Sequence, residues 1–161
     1  MQRPWNRPNY PVWSLSTVDD NDGMYNMNIC TYVTAISMKP KQFCIAVYHG
    51  TKTHANIKRS KTAILQLLGE HQSDVVRNLG KMSGFLRKKV SIVNKKHPII
   101  TTQGLAVMSD SLSYCLIEFD EMVVTGGDHD LIIGNVISYK NLNEGKVLTT
   151  QKLSELKIIS V

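Results

Sequence analysis

A turn that follows an apolar run carries the residue types that bind phosphate. The segment reads Tyr48, His49, Gly50, Thr51, Lys52, Thr53, His54, Ala55, Asn56 and Ile57. A predicted strand ends there and a predicted helix begins, and the first N–H groups of a helix can donate to phosphate oxygens. Lys52 adds positive charge, and Thr51 and Thr53 add hydroxyl donors. Ordinary capping of the helix by Thr53 explains the pattern equally well. The GxxxxGK[ST] loop of nucleotide triphosphatases is absent.

A second candidate segment, residues 26–40, leads from polar residues into a strand that alternates Thr, Val and Ser. One interpretation is an edge strand. The other is a binding surface for a flat heteroaromatic ring, whose carbonyl and imide edges pair with main-chain groups of this segment. The local sequence does not decide between them.

A third segment places His129 between Asp128 and Asp130, just before an apolar strand. Flanking carboxylates favour the charged form of a histidine, which can then bond an anionic or carbonyl-bearing ligand. The alternative is a turn histidine that is satisfied by one of these two carboxylates.

Short strands separated by turn residues must position these three segments. The alternating apolar pattern predicts a closed or nearly closed barrel. Its predicted strands are Val12 to Val18, Thr31 to Met38, Phe43 to Tyr48, Ala63 to Leu68, Val90 to Val93, Gly104 to Met108, Tyr114 to Val124 and Leu131 to Tyr139.

Turn residues and two helical segments complete the predicted organisation. Chain reversals are expected at Asp19 to Gly23 and at Gly126-Gly127. Short helices are expected over Thr53 to Ser60 and over Ser73 to Leu79, the second ended by Gly80. The proline-containing residues 1–11 predict an extended arm that wraps a surface or a partner subunit.

Length and composition predict one folded domain over residues 1–161. The 42% apolar and 20% charged residues are typical of folded proteins. No apolar run has the length of a membrane span, and the N-terminus lacks a signal-peptide core, so we expect a cytoplasmic protein with no membrane partner. Cys30, Cys44 and Cys115 form no CxxC pair, which favours reduced thiols, and we predict no metal site.

The positive charge is concentrated in the middle of the chain. Residues 39–96 contain 13 Lys and Arg but only Glu70 and Asp74 as acids, a formal charge of +11 in a chain of +6. Such a surface suits a phosphorylated cofactor, a nicotinamide dinucleotide or nucleic acid. Nucleic acid is disfavoured, because aromatic residues are only 7% and do not interleave with the lysines.

Taken together, these segments resemble the flavin reductase-like, FMN-binding split-barrel family. The resemblance lies in PVWSLSTVD, NICTYVTAISMKP, FCIAVYHGTKTHANI, LGKMSG and GDHDLIIGNV, which span most of the chain from Pro11 to about Tyr139. The LGKMSG and THANI elements are most similar to flavoredoxins and to the flavin domain of high-molecular-weight rubredoxins.

The resemblance implies a mainly β split barrel with a few short peripheral helices, and a homodimer with FMN, or alternatively FAD, near the subunit interface. The phosphate would lie by the turn from Thr51 to Asn56, and the ring against Asn28 to Thr31. His129 would lie on the side of the nicotinamide or acceptor. NADH or NADPH would donate hydride to the flavin, as in other family members.

Two departures from the family pattern keep a second function open. The family often has two prolines where this chain has Lys39-Pro40-Lys41, and a small residue near the position of Tyr32. Tyr32 could narrow the nicotinamide groove. A flavoredoxin-like electron carrier, reduced by a protein that docks on Arg87-Lys88-Lys89 and Lys95-Lys96, is therefore an alternative. A further alternative is that this protein has kept the fold of the family but does not bind the cofactor.

Overall fold

The computed structural model describes residues 3–86 and 88–159. The strands are β1 (Trp13–Val18), β2 (Tyr25–Cys30), β3 (Val33–Met38), β4 (Lys41–Tyr48), β5 (Thr62–Leu67), β6 (Ile99–Thr102), β7 (Leu105–Met108), β8 (Ser113–Val123) and β9 (His129–Asn141). The helices are α1 (Lys52–Ile57), α2 (Val75–Lys81), α3 (Lys89–Val93) and α4 (Thr150–Glu155), with 3₁₀ turns at Pro4–Asn6 and Glu70–Gln72.

Seven of these strands form one antiparallel sheet in the order β2-β1-β5-β8-β9-β4-β3. The two edge strands, β2 and β3, are consecutive in the chain and are joined only by Thr31 and Tyr32. Ala46 of β4 donates its N–H to the carbonyl of Tyr32, and β2 also contacts β4, so the sheet curls toward closure at this junction. The separate hairpin of β6 and β7 packs against β1 and β5. The predicted mainly β fold with short helices is confirmed.

Side-chain alternation along β1 explains how the sheet separates two cores. Leu15 lies in the cluster inside the curled sheet, with Ile45, Ile117 and Ile132 among its buried members. Val12 faces the opposite side and joins a cluster under α2, α3 and α4. Helices α2 and α3 cover this second cluster by packing against β2, whereas Ile57 of α1 belongs to the first cluster.

The two predicted chain reversals are present. Asp19 accepts a hydrogen bond from the backbone N–H of Asn21, and Gly23 adopts a φ of +68°, which closes the hairpin between β1 and β2. Gly126 has a φ of +74° between β8 and β9.

One strand prediction is wrong, because Val90 to Val93 lie in helix α3. The residues are β-branched and favour a strand locally. In the fold, however, Val90 and Val93 stand three residues apart on one helical face and pack into the core beneath α2. Tertiary packing outweighs local propensity here.

The predicted helices exist with shifted ends. Helix α1 begins at Lys52, because its cap is Thr51 rather than Thr53. Helix α2 covers Val75–Lys81 and passes through Gly80, which was expected to end it. Strands β2 and β6 and helix α4 were not predicted.

The N-terminal arm packs on its own chain. The backbone N–H of Tyr10 donates to the Thr150 side chain, at 3.0 Å, and Asn9 accepts from the N–H of Gln151, at 2.9 Å. Pro11 pairs with Thr149 in an isolated bridge. The arm therefore fastens helix α4 to the barrel. Met1 and Gln2, part of the predicted arm, lie outside the described residues.

Within residues 3–86 and 88–159, no helix has the length and apolar character needed to cross a membrane.

Candidate functional site

A cavity of about 410 Å³, here called the main cavity, opens where three separate parts of the chain meet. Strand β2, the turn from β4 into α1, and the segment from the end of α2 to α3 form its walls. The lining residues are Asn26, Asn28, Ile29, Tyr48, Gly50, Thr51, Lys52, Thr53, Leu79, Gly80, Lys81, Met82, Ser83, Gly84 and Lys89.

The turn from β4 into α1 is held in shape by Thr51 and Gly50. Gly50 adopts a φ of +71°, a conformation that other residues rarely accept. The Thr51 hydroxyl accepts from the N–H of His54 at 3.2 Å and donates to the carbonyl of Tyr48 at 2.8 Å. Thr51 is therefore the helix cap and fixes the backbone along this wall of the cavity.

Lys52 reaches across the cavity wall to the hairpin between β1 and β2. Its Nζ lies 2.9 Å from Asp19 and 4.0 Å from Asp22. The hydrogen bond from Lys52 lowers the pKa of Asp19 below its ordinary value. The positive charge predicted for this turn is present, but a carboxylate partly neutralises it.

Asn26, Thr53 and Gly84 join the three walls. The buried Asn26 side chain donates to the Thr53 hydroxyl at 2.8 Å. A Cβ atom on Gly84 would overlap Asn26 Oδ1 and press on the Cβ of Lys52. Only glycine lets the segment after α2 approach this closely.

Lys89 brings a buried positive charge to the cavity. Its side chain is only 6% exposed, and its Nζ donates to the carbonyl of Leu79 at 2.7 Å. Among the described residues, no carboxylate lies within ion-pairing distance of it. Burial lowers the pKa of Lys89. A buried cation without an acidic partner favours an anionic ligand in the cavity.

The predicted ring-binding residues point to different places. Asn28 and Ile29 line the main cavity. Cys30 is buried in the core, where its thiol donates to Asn28 Oδ1 at 3.3 Å and burial raises its pKa to about 12. Thr31 lines a neighbouring side cavity of about 240 Å³, together with Tyr32 and residues of the arm and α4.

Two of the predicted phosphate-binding residues do not line the main cavity. The Asn56 side chain is buried and donates to the Thr17 hydroxyl at 3.0 Å. The His49 ring turns toward Asp130, with its Nε2 2.9 Å from Asp130 Oδ1. Tyr48, Gly50, Thr51, Lys52 and Thr53 do line the cavity.

His129, the predicted catalytic residue, does not line the main cavity but contacts Tyr48, which does, and its ring is oriented from three sides. Its Nδ1 lies 2.7 Å from Asp128 Oδ1. Its ring meets Tyr32 and Tyr48 edge-on, with centroid distances of 5.6 and 5.1 Å. The bond from His129 lowers the pKa of Asp128, so the carboxylate stays ionised.

Asp130, the other acid predicted beside His129, faces the opposite side of β9. It is 3% exposed and accepts a hydrogen bond from His54 Nε2 at 2.7 Å. Successive residues of a strand point to opposite faces, so Asp130 points away from His129, whereas Asp128 precedes the strand and is free of this alternation.

A family model described as the flavin reductase-like domain matches residues 5–154. The chain belongs to the flavin reductase-like domain family. This membership makes it an oxidoreductase of the flavoprotein class. No curated protein matches the chain.

Solved structures of flavin reductase-like proteins share the fold at low sequence identity. An FMN-binding protein from Thermus thermophilus has a TM-score of 0.75 at 18% identity, covering 88% of this chain and 75% of that chain. The styrene monooxygenase flavin reductase from Pseudomonas putida has a TM-score of 0.75 at 18% identity, covering 90% and 88%. The NADH:FAD oxidoreductase of Streptomyces globisporus, solved with NAD and FAD fragments, has a TM-score of 0.74 at 15% identity, covering 86% and 79%.

In this flavin reductase-like domain, sequence reasoning missed one wall of the cavity. Asn26, Lys89 and the segment Leu79 to Gly84 were not among the predicted site residues, although LGKMSG had been part of the resemblance. Its two glycines were a signal of close backbone approach. Lys89 carried no signal, because it stood in a run of lysines expected to face solvent.

Proposed function

We propose that this protein binds FMN in the main cavity and catalyses the oxidation of NADH or NADPH, with electrons passed on to an acceptor. The carrying observation is that the polar strand β2 and the threonine-rich turn after Tyr48 line the same cavity. Its volume of about 410 Å³ falls in the range of roughly 300–1,000 Å³ that is usual for small-molecule sites.

The residues of the cavity fit a flavin nucleotide. Lys89 and Lys52 bring positive charge to two different walls, and Lys89 lacks a carboxylate partner within the described residues. The Thr53 hydroxyl and the backbone N–H groups around Gly50 supply donors for a phosphate, whereas the Thr51 hydroxyl already donates to Tyr48. Asn28 and Ile29 supply a strand surface for a flat ring. FAD, which carries the same ring, is the alternative.

Each wall has a separate task in this proposal. The turn at Thr51 holds the phosphate in a backbone shape that Gly50 and the cap already fix, so little order is lost on binding. The Gly84 segment covers the ligand and excludes water. Lys89 places its charge beside the bound anion from within a low-dielectric wall, where charges act strongly.

The flavin would supply the hydride-accepting chemistry when bound. His129 would orient the nicotinamide or the acceptor, because Asp128 holds its Nδ1 and leaves Nε2 to face a ligand. Tyr32 and Tyr48 restrict rotation of the ring. The contribution of the chain is therefore positioning of the two reactants.

The absorption spectrum and steady-state kinetics test this proposal. Purified protein reconstituted with FMN should show flavin bands and oxidise NADH or NADPH with flavin or ferric acceptors. His129→Asn should raise KM for the nicotinamide about tenfold or more and leave FMN affinity unchanged. His71→Asn, at a half-exposed histidine outside the cavity, is the control. Failure to oxidise either nicotinamide would remove the reductase assignment.

An electron carrier reduced by another protein is the second candidate. Tyr32 supports it, because this ring is 48% exposed and meets His129 edge-on, where it narrows the approach to the site. Slow NAD(P)H turnover beside fast reduction by a protein donor would favour the carrier. Tyr32→Ala should then raise NAD(P)H turnover.

The basic docking surface predicted for such a carrier is smaller than expected. Lys89 is buried, and Lys96 is paired with Asp74 at 2.7 Å. Lys88 and Lys95 remain exposed. Arg87 lies outside the described residues.

We propose a homodimer, supported by an apolar surface that solvent would otherwise contact. Met38 is 78% exposed and Tyr139 is 64% exposed. Met38 pairs with Lys41 across the hairpin of β3 and β4, and Lys41 Nζ lies 6.0 Å from the Tyr139 ring centre. The exposed side chains are therefore neighbours on one surface, as in protein interfaces.

A further inference from the structure

Behind the turn that forms one wall of the main cavity, two imidazoles converge on one buried carboxylate. Asp130 Oδ2 lies 2.7 Å from His54 Nε2, and Asp130 Oδ1 lies 2.9 Å from His49 Nε2. One ligand atom from each of these residues lies within 4.8 Å of the other two. We call these three residues the His-Asp-His cluster.

The ligand atoms of the cluster lie beneath the surface, and His49 is its most exposed member. Asp130 and His54 are 3% and 8% exposed, whereas the His49 side chain is 38% exposed, although its Nε2 is buried. An ion would therefore enter from the side of the His49 ring.

The contact between His49 and Asp130 is not a hydrogen bond. Although these atoms are 2.9 Å apart, His49 Nε2 and Asp130 Oδ1 are both buried without a hydrogen-bond partner. A buried, unsatisfied carboxylate oxygen requires an explanation, because leaving it unpaired is costly. A shared metal ion is one explanation, since bonds of about 2.0–2.2 Å hold the neighbouring ligand atoms of a tetrahedral site about 3.3–3.6 Å apart, so a small outward shift of these side chains would admit the ion.

We propose that the His-Asp-His cluster binds a divalent transition-metal ion, such as Zn²⁺. Two imidazole nitrogens and one carboxylate oxygen are ligand types that such ions prefer, and three protein ligands leave positions for water.

Sequence reasoning predicted no metal site because the ligands lie far apart in the chain. His49 and His54 flank the turn into α1, and Asp130 lies on β9, which pairs with β4 in register. The pairing of Val47 with Asp130 brings the carboxylate beside the turn. The ion would therefore brace the same turn from the side opposite the main cavity, a role additional to the proposed flavin binding.

Metal titration of the untagged full-length protein tests the inference independently of activity. The FMN-loaded protein is freed of metal with a chelator and titrated with Zn²⁺ by calorimetry. It is then titrated with Co²⁺, whose d–d absorption reports nitrogen and oxygen ligands at wavelengths longer than flavin absorption. The titrations are repeated without flavin, which separates failure here from failure of the flavin proposal.

His49→Ala and Asp130→Asn are the test variants, and His71→Ala is the control. His49 is partly exposed, so its replacement should leave the fold intact, which circular dichroism checks. We expect one ion per chain, at least about tenfold weaker binding in both test variants, and unchanged binding in the control. Absence of stoichiometric binding, equal affinity in His49→Ala, or a Co²⁺–thiolate absorption band would overturn the inference.

Discussion

Lys52 and Lys89 both line the main cavity and differ in what balances their charge. Lys52 is paired with Asp19 at 2.9 Å, whereas Lys89 only donates to the carbonyl of Leu79. A phosphate near α1 would compete with Asp19 for Lys52. Replacing Lys52 would therefore remove an ion pair together with a phosphate contact, whereas replacing Lys89 would remove a buried charge that has no carboxylate partner among the described residues.

We expect Lys52→Met to weaken FMN binding about tenfold and to leave riboflavin binding unchanged, because the phosphate is the part of the flavin nucleotide that the ammonium would contact. Quenching of flavin fluorescence gives both dissociation constants. Lys58→Met, at the exposed end of the same helix, is the matched control. Equal losses for FMN and riboflavin would show that Lys52 acts through the fold and not through the phosphate.

The Cys30 thiol should be unreactive in the native protein. Burial raises its pKa to about 12 from 9.0, so the native protein contains about a thousandfold less thiolate than an ordinary cysteine would. Alkylation at pH 8, followed by mass spectrometry, should label Cys30 more slowly than the half-buried Cys44 and Cys115. Equal labelling of all three would contradict this.

The same shift has a consequence for stability at high pH. A thiol whose pKa is higher in the folded protein than in the unfolded chain contributes fully to stability below the unfolded pKa. As the pH rises above that value, the thiol ionises in the unfolded chain but not in the folded protein, and this contribution is lost. The free energy of unfolding should therefore fall between pH 9 and about pH 12. Cys30→Ala should flatten this part of the urea-unfolding profile, whereas a profile identical to the parent would exclude Cys30 as the cause.

At the scale of elements, the segment after α2 is the wall of the main cavity whose position depends on the close approach of Gly84 to Asn26. Gly84→Ala would force its new Cβ against Asn26 and disturb the bond from Asn26 to Thr53. We expect a loss of about 1–3 kcal/mol in stability and weaker FMN binding, measured by thermal unfolding and fluorescence. Gly127→Ala, where the Cβ meets only Thr125 at 3.4 Å, should change neither. A neutral Gly84→Ala would mean that this segment can move away from the cavity.

The elements that were predictable from sequence are those whose side chains alternate clearly. β4 and β5 have buried apolar residues at alternate or successive positions, and the apolar Trp13 and Leu15 of β1 alternate with serines, so the sequence pattern shows all three strands. β2 reads as polar because Asn26 and Asn28 face the cavity side, so it was missed. The β-branched α3 was misassigned because only its packing beneath α2 makes it helical.

Only part of the lining of the main cavity could be predicted from the sequence, for the same physical reason. The turn at Thr51 and the strand at Asn28 carry donors at local spacing, which a sequence displays. Lys89 and Asp130 acquire their surroundings only through contacts with distant residues, Leu79 and His54. No local pattern encodes such burial.

At the scale of the whole molecule, the apolar surface around Met38 and Tyr139 predicts the oligomeric state. Light scattering after gel filtration should give about twice the chain mass of 18.1 kDa. Met38→Glu combined with Tyr139→Glu should give the monomer, because burying two carboxylates in an interface is costly. Leu156→Glu, at an exposed apolar residue on α4's end, is the control. A monomeric parent protein would exclude this dimer.

Ile29 is the one described residue that lines both the main and the side cavity. It is thus a partition between two chambers of about 410 and 240 Å³. We expect that shortening this side chain would widen the passage between them, from the turn at Thr51 toward helix α4. The size of the largest aromatic molecule that the protein admits beside its flavin would then depend on a single branched side chain.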